Sequence, residues 1–166
     1  MPLADRAQAQ LIGALADWLQ LVRVSCAAEP VTLEGSESQW VHIMPAGPFV
    51  EARDGRAFQV SDMTGIAART ELPLLLDWDH QSESMFGSTR AAGWIEEIHV
   101  AEDTSKYPRP GVWGRCSYTE SGANDVKSKA FRFLSPVLIL DSDTRDVQQI
   151  VSVALTNRPA LHMQGL

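Results

Sequence analysis

Apolar residues from position 40 onward fall into short runs that turn-forming residues interrupt, a pattern typical of β-strands. Residues 40–44 read Trp-Val-His-Ile-Met, and two prolines and a glycine then end the run. Residues 49–52 resume the pattern before Asp54 and Gly55, a pair that favours a hairpin turn. The pattern therefore predicts that the domain begins with two short strands.

Five further apolar runs predict strands, over residues 72–78, 91–100, 111–118, 131–140 and 147–155. A short helix is predicted over residues 62–69, with Asp62 as its N-cap. A second is predicted over residues 122–129, with Asn124 or Ser121 as its cap. Many short strands with few helices favour a mainly β fold with flanking helices (α+β), arranged as a compact, mostly antiparallel β barrel.

The N-terminal segment, residues 1–28, has a different pattern, because its apolar residues recur at steps of three and four. This spacing predicts one amphipathic helix over residues 4–24, whose apolar stripe contains Leu11, Leu15, Trp18, Leu19 and Val22. The stripe is expected to pack on its own domain or to contact a partner. Residues 29–39 are polar and turn-rich, which predicts a linker, and residues 40–166 form the predicted β domain.

The chain has 166 residues, of which 45% are hydrophobic and 21% charged, enough for one domain with a hydrophobic core. Its formal net charge of -7 argues against direct nucleic-acid binding, which requires a basic face. The apolar stretch at 11–24 is too short for a membrane span, and Asp17 and Arg23 interrupt it. Cys26 and Cys116 lie in no zinc or redox spacing. We therefore expect buried or partly buried thiols in a cytoplasmic protein, with no metal or organic cofactor.

His80 is the first candidate for chemistry. It follows Asp77, Trp78 and Asp79 at the end of a predicted buried strand, where a rigid core can hold a side chain at the open rim of a site. A neutral imidazole can accept a proton there, because its reference pKa is about 6.5. Asp77 and Asp79 could orient the ring or raise its basicity. The alternative is a surface histidine in a polar turn.

Ser135 is the second candidate, within Phe-Arg-Phe-Leu-Ser-Pro-Val-Leu at residues 131–138. A small hydroxyl residue among bulky apolar neighbours is unusual in a central strand. Pro136 donates no hydrogen bond, so the strand is expected to be broken or bulged there. A bulge can direct a hydroxyl into a cleft. The alternative is a serine that only relieves crowding at the bulge.

A serine hydroxyl is a weak nucleophile at neutral pH, so Ser135 requires a base. His80 on another strand can supply it if the two side chains meet within about 2.6–3.2 Å. The sequence contains no G-x-S-x-G elbow, no H-E-x-x-H zinc motif and no phosphate-binding glycine loop. The predicted chemistry is therefore acyl transfer, with oxyanion donors expected near the turn at residues 141–145.

Five segments carry a family resemblance. They read LLLDWDHQSE at 74–83, AGWI at 92–95, GVWG with YT at 111–119, FRFLSPV at 131–137 and ALTNRPAL at 154–161. In this order they resemble the Mu-like prophage I proteins, phage proteases that are also linked to the head scaffold. Any one segment is weak, but five in register make a chance match improbable. The resemblance covers roughly residues 40–162.

This resemblance implies a fold and a catalytic order. The family is similar to tailed-phage prohead proteases and herpesvirus assemblins, which share a β barrel flanked by helices. Their catalytic order is histidine, serine and a third group, and His80 and Ser135 match the first two positions. Ser152 stands where related proteases place an acid or a histidine, and a serine cannot hold an imidazolium as a carboxylate does. The resemblance therefore implies a Ser–His dyad, or a third role for Asp77 or Asp79.

The resemblance also implies a role, that of a capsid-maturation serine endopeptidase that cleaves itself and the scaffold protein. Such an enzyme acts in the host cytoplasm, inside the assembling prohead. Its expected partners are the phage scaffold and major head proteins, together with further copies of itself. Two alternatives stay open: a catalytically inactive scaffold or head-assembly protein with a protease-like fold, and a β-barrel binding module whose N-terminal helix docks a partner.

Overall fold

The computed structural model describes residues 38–52 and 55–158, together with the backbone of residues 21–23. The strands within these residues are β1 (Leu21–Arg23), β2 (Ser38–Pro45), β3 (Phe49–Glu51), β4 (Ala57–Gln59), β5 (Leu74–Trp78), β6 (Gly93–Ala101), β7 (Gly111–Tyr118), β8 (Phe133–Leu140) and β9 (Val147–Thr156). The helices are α1 (Met63–Arg69) and α2 (Glu120–Lys127), and a one-turn 3₁₀ helix covers Gln81–Glu83. The chain is therefore mainly β with two helices, as its sequence pattern predicts.

One seven-stranded sheet has the order β1-β8-β9-β5-β6-β7-β2, and β3 and β4 form a separate hairpin. Neighbouring strands of the large sheet are antiparallel except β5 and β9, which run parallel. The sheet curls, so that β2 contacts β8. Its concave side holds a core of fully buried side chains that includes Ile43, Met44, Phe58, Ile66, Leu76, Ile95, Leu134, Leu138, Ile150 and Leu155.

The two helices begin at side-chain caps. Asp62 caps α1 as predicted, and its carboxylate accepts a hydrogen bond of 2.8 Å from the backbone N–H of Gly65. The cap of α2 is Thr119, whose hydroxyl accepts a bond of 3.2 Å from Gly122 N. The predicted caps Asn124 and Ser121 are wrong, because both residues lie inside the helix.

The hydrophobic pattern predicts where the strands lie more accurately than it predicts the residues at which they begin and end. β7 covers the predicted residues, and the hairpin predicted at the Asp-Gly pair is present as β3 and β4. Gly55 in that turn has a φ of 81°, a left-handed conformation that glycine adopts without strain. β2 begins at Ser38, so the last two residues of the predicted linker belong to the sheet and that boundary is wrong.

The predicted N-terminal helix falls mostly outside the described residues, as does most of the predicted linker. Leu21–Arg23 nevertheless form β1, which pairs antiparallel with β8. The helix predicted through residue 24 is therefore wrong at its C-terminal end. The predicted boundary at residue 28, between the N-terminal segment and the linker, stays a prediction.

Cys116 on β7 is a free thiol with no exposed surface, as expected of an isolated cysteine in an apolar strand, whereas Cys26 falls outside the described residues. Across residues 38–52 and 55–158, no group of three or more His, Cys, Asp or Glu side chains is placed to hold a metal ion. No helix in the described part of the chain is both long and apolar enough to cross a bilayer.

Candidate active site

A row of small and polar side chains crosses three neighbouring strands. Ala154 of β9 lies beside Asp77 of β5 in parallel register and beside Ser135 of β8 in antiparallel register. Residues directly opposite one another in a sheet project to the same face, so these three side chains share one face. Val153 and Leu155, which flank Ala154 along β9, belong to the hydrophobic core on the other face. The short side chain of Ala154 leaves room above β9 between Asp77 and Ser135.

His80 reaches this row because the chain turns back directly after β5. The backbone N–H of Asp79 donates to the carbonyl of Leu155 at 2.8 Å, which extends the β5–β9 pairing by one residue. Asp79 and His80 then have φ angles of 48° and 57°. This left-handed conformation is uncommon outside glycine, although Asp and His adopt it more often than most residues. It brings the 3₁₀ helix Gln81–Glu83 over the polar face of the sheet.

The imidazole of His80 contacts the hydroxyl of Ser135. Nε2 lies 2.6 Å from Oγ, and the two residues are 55 positions apart in the sequence. At that distance the ring can take the hydroxyl proton directly. Ser135 is 4% exposed and His80 7%, so both side chains are buried. The structure thus brings the two predicted residues together, but the expectation of an open rim is wrong.

Two carboxylates fix this turn to the sheet. Asp77 Oδ2 accepts hydrogen bonds from the backbone N of Ser82 at 2.7 Å and from its Oγ at 2.5 Å. Glu83 Oε1 accepts a bond of 2.8 Å from Oγ of Ser152. Ser152 lies opposite Val137, which places it on the same face as Ser135. The segment that follows His80 is therefore bonded to β5 on one side and to β9 on the other.

The predicted candidates for a third catalytic group have three different environments. Asp77 is 1% exposed; its Oδ2 binds Ser82, while its Oδ1 has no hydrogen-bond partner among the described residues. Asp79 is exposed at the start of the turn. Ser152 is buried and donates to Glu83.

Sequence reasoning did not single out Glu83. The available signal was proximity, because Glu83 lies three residues after His80, which is the N-cap of the one-turn 3₁₀ helix Gln81–Glu83. Two residues so close within one turn can face the same surface. The contacts with Ser135 and Ser152 show that both do.

Strand β8 is regular at Ser135, contrary to the predicted bulge. The β8–β9 register is continuous from Phe133 to Val137, and its two irregularities fall between Val137 and Leu138 and between Ile139 and Leu140. Pro136 fits because β1 pairs with β8 only from Val137 onward, so one side of Pro136 lacks a partner strand in the described residues. The serine is therefore held by a regular strand, which fixes its direction more firmly than a bulge would.

The predicted position of the oxyanion donors is wrong. The turn at 141–145 begins after Leu140, five residues beyond Ser135 along β8. At about 3.3 Å per residue, the turn lies roughly 17 Å from the serine. Pro136 has no N–H, so the residue after Ser135 cannot donate either.

Side-chain contacts hold together the two ends of the loop that carries His80. Nε1 of Trp78 donates to Oδ2 of Asp125 at 2.8 Å, and the guanidinium of Arg90 lies 5.3 Å from the centre of the Trp78 ring. Arg90 also donates to Oγ of Ser121 at 2.7 Å. Trp78 precedes the loop 79–89 and Arg90 follows it, so these contacts hold both ends together and tie them to α2.

A family model matches the part of the chain that contains the motifs around this site. The family model for the N-terminal domain of the Mu-like prophage I protein matches residues 41–166. No curated protein and no solved structure matches the chain. The matched span contains both His80 and Ser135, together with the strands and the turn that hold them. Because it covers well over half of the sequence, the chain belongs to the Mu-like prophage I protein family.

Proposed function

We propose that this chain is a serine endopeptidase of phage head maturation, with Ser135 as nucleophile and His80 as general base. The observation that carries the proposal is the 2.6 Å contact between Nε2 and Oγ, made by residues on two separate elements. Family membership supports the phage context. The related proposal for the fold is that the curled sheet and its two helices form a barrel of the prohead protease and assemblin type.

The proposed reaction is acyl transfer in two halves. His80 takes the Ser135 proton at Nε2 as Oγ attacks the peptide carbonyl, and the imidazolium then donates that proton to the leaving amine. The resulting ester bond joins Ser135 to the N-terminal fragment of the substrate. A water molecule, deprotonated by His80, hydrolyses the ester and restores the free hydroxyl. No metal or cofactor takes part in this scheme.

Burial of the pair sets a condition on this chemistry. With Ser135 at 4% and His80 at 7% exposure, a peptide carbonyl reaches Oγ only when the turn over the site moves outward. The tip of the same loop carries Met85 and Phe86, which are 89% and 94% exposed. In the proposed setting, the host cytoplasm and then the interior of the prohead, contact with the scaffold protein, the major head protein or a second copy of the chain supplies that opening.

The competing function is a scaffold or head-assembly protein that keeps the fold without activity. One observation favours it, the burial of Ser135. The resemblance adds a second point, because it implies an acid or a histidine at the position of Ser152. A covered hydroxyl without a third group would be inert. The two functions differ in one measurable property, the reactivity of Ser135.

Labelling with a fluorophosphonate probe tests the proposal, because such a probe loses fluoride and phosphonylates a serine that a nearby base activates. The wild-type chain should be labelled at Ser135, and Ser135→Ala and His80→Ala should lower the rate by about a thousandfold or more. Ser117→Ala on β7 is the matched control, because its hydroxyl contacts Glu96 instead. Labelling should be accompanied by cleavage of co-expressed scaffold. A wild-type chain that is folded yet reacts no faster than Ser135→Ala would establish the inactive alternative.

A further inference from the structure

Glu83 is a charged residue bonded to the same sheet face as the proposed catalytic pair. Its Oε1 accepts a hydrogen bond of 2.8 Å from Ser152, whose side chain is 4% exposed. A serine hydroxyl carries a single hydrogen, so Ser152 commits its donor to this carboxylate. The contact spans 69 positions of sequence and joins the turn after β5 to β9.

The register of the sheet places this contact next to the proposed site. Ser135 lies opposite Ala154 and Ser152 lies opposite Val137, so the two serines occupy consecutive rows of one face. Diagonal neighbours of this kind are about 7–8 Å apart. The turn after β5 therefore contacts two hydroxyls of the sheet. The imidazole of His80 contacts Ser135, and the carboxylate of Glu83 contacts Ser152.

We propose that Glu83 is a positioning residue for His80, with Ser152 as its anchor on β9. This inference rests on the proposed function. The Glu83–Ser152 bond holds the turn so that Nε2 stays on Oγ of Ser135. The negative charge of Glu83 stabilises the imidazolium that forms when Ser135 gives up its proton. The proton passes only from Ser135 to His80 and then to the leaving amine.

The other charged groups around the turn are less suited to this role. Oδ2 of Asp77 already accepts two hydrogen bonds from Ser82, one from its backbone N–H and one from its hydroxyl, so this oxygen holds the turn itself. Asp79 is exposed to solvent, where water screens its charge. Arg90 is bound to Ser121 and stacks on a tryptophan ring at the base of the loop. Glu83 alone of the three carboxylates ties the turn to the strand next to Ser135.

The experiment separates the charge of Glu83 from its size. Glu83→Gln keeps the length and an acceptor oxygen for Ser152 but removes the charge, whereas Ser152→Ala keeps the charge and removes the anchor. Glu71→Gln, at an exposed site just before β5, is the matched control. For each variant, NMR titration of labelled histidines gives the pKa of the His80 ring, and fluorophosphonate labelling against pH gives the reactivity of Ser135.

Glu83→Gln should lower the His80 pKa by about one unit and slow labelling by about tenfold at neutral pH, and the acid limb of the pH profile should move to lower pH. Glu83→Asp should restore most of the pKa, because it restores the charge. Ser152→Ala should slow labelling by a similar factor with a smaller pKa change, whereas Glu71→Gln should match the wild type in both.

An unchanged His80 pKa and labelling rate in Glu83→Gln would overturn the role of Glu83. If that variant does not fold, the same two values unchanged in Ser152→Ala would overturn it instead. A wild-type chain that is never labelled, but whose His80 pKa falls in Glu83→Gln, would show that the electrostatic coupling holds and that the proposed protease function fails.

Discussion

His42, a buried histidine on β2, makes the stability of the fold depend on pH. Its side chain is 5% exposed and its ring lies 4.9 Å from that of Trp113, centroid to centroid. Burial is the main reason that its pKa falls from 6.5 to about 4, and the nearby positive charge of Arg109 lowers it further. The carbonyls of Pro110 and Met44 oppose this shift only in part. The folded protein therefore keeps His42 neutral where the unfolded chain takes up a proton.

The sign and size of the effect follow from these two pKa values. Between about pH 6.5 and pH 4 the unfolded chain binds more protons than the folded chain, so the free energy of unfolding falls as the pH falls. The contribution of His42 is complete above the unfolded value and is lost as the pH drops towards the folded one. With one unit worth 1.36 kcal/mol, the loss is about 2 kcal/mol at about pH 5 and about 3 kcal/mol at lower pH.

Urea unfolding at about pH 7.5 and about pH 5 measures this loss for the wild type and for His42→Phe. Any other pH-dependent contribution to stability is common to both proteins. The wild type should lose about 2 kcal/mol more than His42→Phe between the two conditions. His42→Asn, which is polar but does not titrate, should behave like the phenylalanine variant. Equal losses in all three proteins would refute the assignment of a buried neutral imidazole.

Two further predictions concern buried positions away from the site. Burial raises the pKa of the Cys116 thiol to about 12, so in a Cys26→Ser background Ellman's reagent should react at least about a hundredfold faster after unfolding in guanidinium than with the native protein. A fast native reaction would show that the thiol is accessible. A Cβ at Gly122 in α2 would lie 2.0 Å from the carbonyl oxygen of Ala92, so Gly122→Ala should lower the free energy of unfolding by about 2–3 kcal/mol in urea. The exposed Asn124→Ala in the same helix should change it by less than about 0.5 kcal/mol, and equal effects would contradict the clash.

The strands were predictable because each is a short apolar run between turn residues. β7, β8 and β9 lie within two residues of their predicted positions. The hairpin turn before β4 was predicted but the bounds of β4 were not, because three residues, of which Phe58 alone is buried, carry too little periodicity to identify a strand. β1 was assigned to a helix because apolar residues at three- and four-residue steps dominate the pattern around Leu21–Arg23, whereas its pairing with β8 is a contact between distant segments.

The site was predictable in its two chemical groups but not in its supports. His80 and Ser135 stand out because each is a polar residue beside an apolar run. Glu83 and Ser152 do not, since a glutamate in a polar turn and a serine in a strand are ordinary in isolation. Their pairing depends on the position of β5 beside β9, which no local pattern encodes.

The parallel pairing of β5 with β9 explains why two residues 55 positions apart meet. Because β5 and β9 run in the same direction, the chain leaves β5 at the end of the sheet where β9 finishes and β8 begins. Ser135 lies two residues inside that end, within reach of a turn that folds straight back. Had β5 run antiparallel to β9, the chain would leave β5 in the direction of Val147, the other end of β9, and the turn that carries His80 would fold away from Ser135. The single parallel step in the sheet is therefore the feature of the topology on which the proposed chemistry depends.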